Sequence, residues 1–545
     1  MKSKQIFIAT LSLVMALQGC KPEHQVDLLV YNAKVLTIDS AMPQAQAMAI
    51  NNGQIVGIGS SEVLTQNFSA QNSIDLKGQI VLPGLIDAHT HFYALGLGMQ
   101  QVDLVGTTSK EEVIERLRTF APYKDANYIV ARGWDQNDWS DPSYPTKEDL
   151  DVYFPDTPVA LSRVDGHALW VNSAALKLAN ITADLVMEGG LVILENGAPT
   201  GILIDTPCEK IFKTIPAPTK NEQIQALLQA QEVCFSFGLT TVNEAGLDRS
   251  IIELIDSLQQ ADLMSIKVYA MAENTPKNID YFLKKGPYKT PRLSVRSIKV
   301  YGDGALGSRG AALRRPYWDQ PHHYGAMITD ESALMNLAQR ALKAGFQMNT
   351  HAIGDSANVT VLRVYKEVLA QKEDMRWKIE HAQVIPEDYF DDFSNNIIPS
   401  VQPTHATSDM YWAQDRLGPD RIQGAYAYQT LLERAGLIAL GTDFPVEKVN
   451  PMLTFYAAVA RKDLNEFPEN GFMPDQMLSR LDAIKGMTIW AAYSNFEEAE
   501  KGSLSVGKSA DFVVLDRNPL SCPENEIPQI KVLQTYVQGQ KVFGL

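Results

Sequence analysis

The sequence predicts an α/β fold: a (β/α)8, TIM-like barrel, a small β-sandwich domain formed by both termini, and an insertion after the first barrel strand. Three observations predict it. Eight β-like segments occur in the central part of the chain, and from Leu239 onward they alternate with helical stretches, as parallel βα units do. Short β-like runs lie at both ends of the chain, and a long stretch separates the first central segment from the second. The central segments are residues 85–91, 239–244, 266–270, 295–301, 347–351, 377–381, 397–402 and 437–442.

Both ends of the chain carry short runs in which apolar and polar residues alternate, a period typical of strands. Asn51-Asn52-Gly53 predicts a hairpin turn near the N-terminus, and Gln538-Gly539-Gln540 marks a turn near the C-terminus. We therefore expect residues 20–81 and 501–545 to form the two parts of one β-sandwich domain.

The barrel is expected over residues 82–500. Thr219 and Glu222 have the spacing of a capping box, and Gly238 follows the helix that they predict. Residues from about 93 to 218 do not fit a minimal barrel. We interpret them as an insertion that carries two or three strands of its own.

Composition and charge place the chain among ordinary globular proteins. Of its 545 residues, 45% are hydrophobic and 21% are charged, which is enough apolar material for a large core. The formal net charge of -16 repels phosphate backbones, and no run of Lys and Arg offsets it. We therefore expect no nucleic-acid partner.

The first residues of the chain have the pattern of an export signal. Lys2 and Lys4 precede an apolar run that is too short to span a bilayer and ends at Gly19-Cys20. Residues 17–20 resemble the bacterial lipobox, which implies that residues 1–19 are a lipoprotein signal peptide and that Cys20 carries a lipid. The resemblance implies an exported protein anchored to a bacterial cell membrane, on the periplasmic side or in the outer membrane. Simple cleavage and an uncleaved N-terminal anchor stay open as alternatives.

The remaining cysteines are Cys208, Cys234 and Cys522, and none of them forms a C-x-x-C pair. Such a set indicates neither a disulfide framework nor a thiolate zinc site. Cys234 lies in a helical pattern and is expected to be buried, although a bridge between Cys208 and Cys234 stays open.

Histidines and one aspartate follow the predicted strands. His89 and His91 are two residues apart, so their side chains lie on one face of a strand. His351 and His381 end two β-like segments that are about one βα repeat apart, and Asp443 follows the last segment. Because catalytic groups gather at the C-terminal ends of barrel strands, these side chains predict a metal site. Zinc suits this set best, with manganese, iron or cobalt as alternatives.

Four motifs carry a resemblance to a known family. Together, in this order, they resemble the metal-dependent amidohydrolase superfamily, and within it amidohydrolase family 3, which includes N-substituted formamide deformylases. The resemblance covers nearly everything after the signal and implies a barrel hydrolase with one or two metal ions. The motifs are residues 83–91 (PGLIDAHTH), 350–355 (THAIGD), 380–383 (EHAQ) and 441–445 (GTDFP).

Lys299 matches the place where such enzymes carry a carboxylated lysine on the fourth strand. The resemblance implies two divalent ions, with His89, His91, Asp443 and Lys299 holding one and Lys299, His351 and His381 holding the other. A lysine flanked by apolar residues and two cations is driven toward the neutral amine, which can add carbon dioxide. A structural lysine paired with Asp303, with a single metal ion, is the alternative.

Four further residues are candidates for substrate binding. Trp134 and His167 lie in insertion motifs that resemble recurrent motifs of the family. His405 follows the seventh strand, and Arg309 follows a glycine-rich loop, where it could orient a carbonyl or carboxylate.

The resemblance implies a hydrolase of non-peptide carbon–nitrogen bonds that acts on a small-molecule amide, carbamate or N-substituted formamide. In the implied mechanism a metal-bound hydroxide attacks the carbonyl, while Asp443 takes its proton and returns it to the leaving nitrogen. Two alternatives stay open: a mononuclear deaminase of the same superfamily, and a catalytically silent lipoprotein that binds a small molecule.

Overall fold

The structure is a computed structural model that describes residues 24–120, 126–163, 168–185, 187 and 190–544. Strands of the first part of the chain form portions of two sheets and then enter the barrel, with one short helix, α1 (Ser61–Asn67), among them. These strands are β1 (His24–Tyr31), β2 (Lys34–Leu36), β3 (Gln44–Ala45), β4 (Ala47–Asn51), β5 (Gln54–Gly59), β6 (Phe68–Asp75), β7 (Ile80–Pro83) and the first barrel strand β8 (Leu85–Thr90).

The insertion after β8 contains a five-stranded sheet in the order β12-β13-β11-β10-β9. The prediction of two or three strands was therefore wrong. Asn196-Gly197 connects β12 to β13 with both residues at positive φ, a two-residue hairpin turn whose Asn-Gly sequence could have revealed the extra pair. The strands are β9 (Ile129–Trp134), β10 (Val159–Arg163), β11 (Ala168–Val171), β12 (Gly190–Glu195) and β13 (Ala198–Asp205); the helices are α2 (Phe92–Gly98), α3 (Lys110–Thr119), α4 (Lys147–Asp151), α5 (Ser173–Leu178) and α6 (Cys208–Phe212).

The predicted barrel is confirmed. Eight strands pair in parallel in the order β8-β14-β15-β17-β18-β19-β20-β21, and a short strand, β16, pairs antiparallel with β17. The Asp443 N–H donates to the His89 carbonyl at 2.9 Å, which joins the last strand to the first. The strands are β14 (Leu239–Leu247), β15 (Lys267–Glu273), β16 (Tyr288–Lys289), β17 (Leu293–Tyr301), β18 (Gln347–Ala352), β19 (Trp377–His381), β20 (Ile397–Val401) and β21 (Ala439–Leu440).

Helices surround these strands, and an apolar layer lies between the two. The predicted capping box is present: the Thr219 hydroxyl accepts from the Glu222 N–H, and the Glu222 carboxylate accepts from the Thr219 N–H. The helices are α7 (Lys220–Ser236), α8 (Arg249–Gln260), α9 (Pro276–Lys285), α10 (Glu331–Ala344), α11 (Asp355–Val368), α12 (Pro403–Asp409), α13 (Ala413–Arg421), α14 (Tyr428–Ala435), α15 (Pro451–Ala460), α16 (Arg480–Gly486) and α17 (Ile489–Ser494).

Strands from the two termini meet in one six-stranded sheet, where β7 pairs with β22 (Phe512–Leu515). The last two strands of this sheet are β23 (Val532–Val537) and β24 (Gln540–Phe543), and β1, β4, β5 and β6 form a separate four-stranded sheet. One apolar cluster includes residues of both sheets, such as Val30 and Phe512. The β-sandwich domain and its boundaries stay predictions.

Two further features of the described residues bear on a disulfide bridge and on membrane-spanning helices. Cys234 is a buried free thiol, so it does not form the bridge to Cys208. No described helix combines the length and the apolar character that a membrane span needs. Cys20 lies outside the described residues.

Candidate active site

The barrel strands alternate between apolar residues that face the helices and polar residues that face the interior. On β17, Ile298 and Val300 belong to the apolar layer, so Lys299 between them faces the inside of the barrel. On β8, Ile86 and Ala88 pack against helix residues, so His89 faces inward, and on β19 Trp377 and Ile379 belong to the apolar layer, so Glu380 faces inward. The predicted ligands therefore converge because they lie at the inward-facing ends of their strands.

Asp443 lies at the centre of this group. Its Oδ1 is 3.2 Å from His91 Nε2 and 3.7 Å from His89 Nε2, while its Oδ2 is 3.2 Å from His405 Nε2. Asp443 and His381 have φ angles of 63° and 72°, a left-handed conformation that is rare for residues other than glycine. Such strained residues cluster at functional sites, which is consistent with the geometry here.

The structure brings a candidate set of metal ligands together. Ligand atoms of His89, His381 and Asp443 all lie within 4.8 Å of one another, and all three side chains are buried. The His351 ring centroid is 4.5 Å from that of His381. Among the described residues, His351 Nε2 and His381 Nδ1 are buried without a hydrogen-bond partner. Buried atoms left unpaired are costly, so these lone pairs fit a bound cation.

The imidazoles are held in the neutral form that binds metals. Burial lowers the pKa of His89 and lowers the pKa of His351 to about 3. Burial also holds the pKa of His381 well below its usual range. Each of these side chains therefore offers a nitrogen lone pair at neutral pH.

Lys299 is buried beside the candidate ligands. Its Nζ lies 3.2 Å from His89 Nε2, and burial lowers the pKa of the amine. Asp303 instead accepts backbone N–H groups from Ala312, Ile353 and Gly354 at 2.8, 3.0 and 2.8 Å. Lys299 and Asp303, which are both described, therefore do not form the ion pair that the alternative interpretation of Lys299 requires.

His405 lies between two carboxylates. Its Nδ1 is 3.2 Å from Glu447 Oε1, and its Nε2 faces Asp443. Burial lowers the pKa of His405, but the hydrogen bonds to the two carboxylates outweigh burial and raise the pKa to about 10. Burial likewise raises the pKa of Asp443, yet His405 and His91 hold that pKa well below its usual range. His405 is therefore a cation that keeps Asp443 ionised.

Two of the other predicted substrate residues, Trp134 and Arg309, have partners elsewhere. Trp134 is fully buried, its indole N–H donates to the Leu161 carbonyl at 2.8 Å, and its ring packs against Trp139 and Trp170 in the core of the insertion. Arg309 pairs with Asp319 at 2.6 Å. His167 lies outside the described residues.

Three buried carboxylates that support the site had no predicted role. Glu380 contacts His89, and Asp87 accepts from the Thr442 hydroxyl at 2.7 Å, next to Asp443 in the chain. Glu244 accepts from the Tyr93 N–H at 3.3 Å, just after His91. The sequence signal that could have revealed these carboxylates is a charged residue within an otherwise apolar strand. Such residues are rarely buried without a partner, so each of them predicts a buried contact.

An eight-stranded parallel barrel that gathers histidines, a lysine and an aspartate at its strand ends defines a class of hydrolases that use divalent metal ions. The chain belongs to the amidohydrolase family, whose model matches residues 72–543.

Similar proteins match over nearly the whole chain. Protein LONG AFTER FAR-RED 3 of Arabidopsis thaliana is 34% identical over 541 residues, which cover 95% of this chain and 91% of that protein. N-substituted formamide deformylase of Arthrobacter pascens is 26% identical over 551 residues, with 94% and 97% covered. The crystal structure of an uncharacterized metal-dependent hydrolase from Pyrococcus horikoshii OT3 is 28% identical, has a TM-score of 0.79, and matches over 91% of this chain and 99% of that one.

Proposed function

We propose that the protein hydrolyses a non-peptide carbon–nitrogen bond in an amide, a carbamate or an N-substituted formamide, with divalent metal ions bound at the barrel mouth. The observation that carries this proposal is the convergence of Asp443 on His89, His91 and His405. The similarity to an N-substituted formamide deformylase over 94% of the chain supports the bond type.

In this proposal one metal ion would be held by His89, His91, Asp443 and Lys299, and the other would be held by Lys299, His351 and His381. Bound divalent ions supply polarisation of the scissile carbonyl and a lower pKa for water. Zinc is the ion that this mixture of imidazole and carboxylate ligands fits best.

Lys299 would bridge the two positions as a carbamate. Its neutral amine would attack the carbon of carbon dioxide: an N–C bond forms, one C=O π bond breaks with its electron pair moving to oxygen, and the nitrogen loses one proton to solvent, which leaves a carbamate with two oxygens. Burial supports this step because it lowers the pKa of the amine. An uncharged lysine also avoids placing an ammonium 3.2 Å from His89 Nε2.

Asp443 would move the proton that the reaction requires. Its carboxylate accepts the proton of the attacking water and returns it to the nitrogen of the leaving amine, so that the amine departs neutral. His405 donates to Oδ2 and thereby orients the carboxylate with Oδ1 toward His89 and His91.

Metal content per chain and a substrate screen test the proposal. Elemental analysis of the purified protein should find about two divalent ions per chain, since a bridging ligand holds a pair of ions. About one ion would favour the mononuclear deaminase, and a protein without bound metal would favour the silent binding protein. A screen of amides, carbamates and N-formyl amines should show amine release, and absence of turnover on every member of a broad panel would contradict the proposed reaction.

Export and lipid anchoring are a separate proposal that depends on Lys2, Lys4 and the lipobox-like residues 17–20. Cys20→Ser should move the protein from the membrane fraction to the soluble fraction, because the thiol that carries the lipid is gone. Cys522→Ser is the matched control. Membrane association that survives Cys20→Ser would contradict the anchor.

A further inference from the structure

We propose that Glu380 is a positioning residue that holds the His89 imidazole with Nε2 directed at the metal site. This inference rests on the proposed function, in which His89 is a metal ligand.

The contact between the two side chains crosses the barrel interior. Glu380 Oε2 lies 2.6 Å from His89 Nδ1, and both side chains are fully buried. Glu380 on β19 and His89 on β8 are 291 positions apart in the sequence. Around the barrel, two other strands, β20 and β21, lie between β19 and β8. Backbone pairing therefore does not bring them together, and the contact depends on the side chains themselves.

The contact determines which nitrogen of His89 is free. A carboxylate accepts, so Nδ1 must carry the hydrogen, and Nε2 keeps its lone pair. Nε2 points to the other groups of the site, at 3.7 Å from Asp443 Oδ1 and 3.2 Å from Lys299 Nζ. Metal-binding histidines commonly donate their second N–H to a carboxylate in this way, which fixes the tautomer and the ring orientation.

The side chains around Glu380 include further buried polar and charged groups. Lys378 lies two residues earlier on the same inward face of β19, is fully buried, and donates to Asn495 Oδ1 at 2.7 Å. Asn495 in turn hydrogen-bonds Asn243 on β14. Bulky branched residues dominate most barrel interiors, whereas this one contains a polar layer beneath the site. The buried charge of Glu380 therefore has an opposite charge two residues away on the same strand, as well as the imidazole that it orients.

The test separates positioning from general stabilisation. Glu380→Gln keeps the size of the side chain but removes the charge, and metal affinity is measured by competition with a chelator using Zn²⁺, together with the visible spectrum of the Co²⁺-loaded protein. Loss of a carboxylate that orients a ligand typically weakens metal binding about 10-fold to 100-fold, and we expect a change in that range with an altered Co²⁺ spectrum.

Glu497→Gln is the matched control. Glu497 is also a buried carboxylate, but its ion pairs are with Lys501 at 2.8 Å and Lys289 at 3.5 Å. We expect this variant to lose thermal stability while it keeps the Zn²⁺ affinity and the Co²⁺ spectrum of the wild type. Glu380→Asp provides a second variant that keeps the charge but is one methylene shorter, and it should also bind Zn²⁺ more weakly.

The outcomes distinguish this inference from the proposed function. Wild-type protein that binds no divalent metal would overturn both. A wild type that binds Zn²⁺, with unchanged affinity and spectrum in Glu380→Gln or Glu380→Asp, would overturn only the role of Glu380. Equal losses in Glu380→Gln and Glu497→Gln would also overturn it, because they would reduce the effect to the loss of a buried charge.

Discussion

Asp443 differs from the histidine candidates because it has two oxygens, and these face different partners. Oδ1 faces two histidines of the first strand and its following turn, whereas Oδ2 accepts from His405. A residue with this arrangement can hold a metal ion and move a proton, and substitution separates the two roles.

Asp443→Asn should lower turnover on an identified substrate by at least about 100-fold, since general acid–base groups contribute about 100-fold to 10,000-fold. The amide keeps one ligating oxygen, so part of the metal should remain, and circular dichroism should show an intact fold. Steady-state kinetics and elemental analysis measure the two effects. Asp262→Asn, which changes an aspartate whose side chain is 82% exposed, is the control. Near-normal turnover would contradict the assigned role and direct attention to His405.

Lys299→Ala should remove at least one metal ion per chain, because it deletes the proposed bridge. Short carboxylic acids added to the variant should restore part of the activity by supplying two oxygens in place of the carbamate. Elemental analysis measures the loss, with Lys343→Ala on the exposed surface of α10 as the control. Full metal content and full activity in Lys299→Ala would exclude the dinuclear arrangement.

Among the elements, α2 is constrained by a close helix contact directly after His91. A Cβ added at Gly96 would lie 2.0 Å from the Ala226 carbonyl oxygen of α7, whereas a Cβ at Gly98 on the same helix meets no atom within 4 Å. His91 is the N-cap residue of α2, so displacement of this helix displaces a proposed ligand.

Gly96→Ala should therefore destabilise the protein by about 1–3 kcal/mol, the usual cost of forcing atoms into a packed interface. Gly98→Ala should be neutral or slightly stabilising, because alanine favours helices by up to about 1 kcal/mol relative to glycine. Denaturant unfolding of both variants measures the difference. Equal stability of the two variants would contradict the packing described for α2 and α7.

For the molecule as a whole, a buried ion pair joins the barrel to the sheet shared by the termini. Lys267 on β15 pairs with Asp511, which immediately precedes β22, and both side chains are buried. Burial raises the pKa of Asp511, but the charge of Lys267 and several hydrogen bonds outweigh it and lower the pKa below 3.8. A lowered carboxyl pKa adds stability above the unfolded value, and this stability is lost as the pH falls through the folded value.

Asp511→Asn should cost about 3–5 kcal/mol at neutral pH, because it leaves the Lys267 charge buried without its partner. The difference from the wild type should begin to shrink as the pH falls below about 3.8, where the Asp511 carboxyl of the unfolded chain takes up a proton, and should disappear as the pH falls through the lower pKa of the folded state. Thermal unfolding between neutral pH and acid measures this trend. Asp280→Asn, whose side chain is 78% exposed, should show no such pH-dependent difference. A constant difference at all pH values would exclude the ion pair as its source.

Local patterns in the sequence determined the eight barrel strands, the capped helix α7 and the positions of the proposed ligands. The periods of strands and helices depend only on neighbouring residues in the sequence. The residue that ends a parallel strand lies at the barrel mouth for any conformation of the loops. For this reason His89, His351, His381 and Asp443 could be placed from the sequence alone, whereas Lys299 was placed by the family resemblance.

Tertiary structure alone decided which distant side chains meet. Burial of Trp134 in the insertion core, the placement of His405 between Asp443 and Glu447, and the contact of Glu380 with His89 across 291 residues all depend on how the barrel closes and how the insertion packs. Barrel closure brings together residues that are far apart in the sequence. The free energy of burying a charge then depends on partners that come from other strands. The positions of the proposed ligands therefore follow from the sequence and the family resemblance, whereas their partners and protonation were determined by the folded interior.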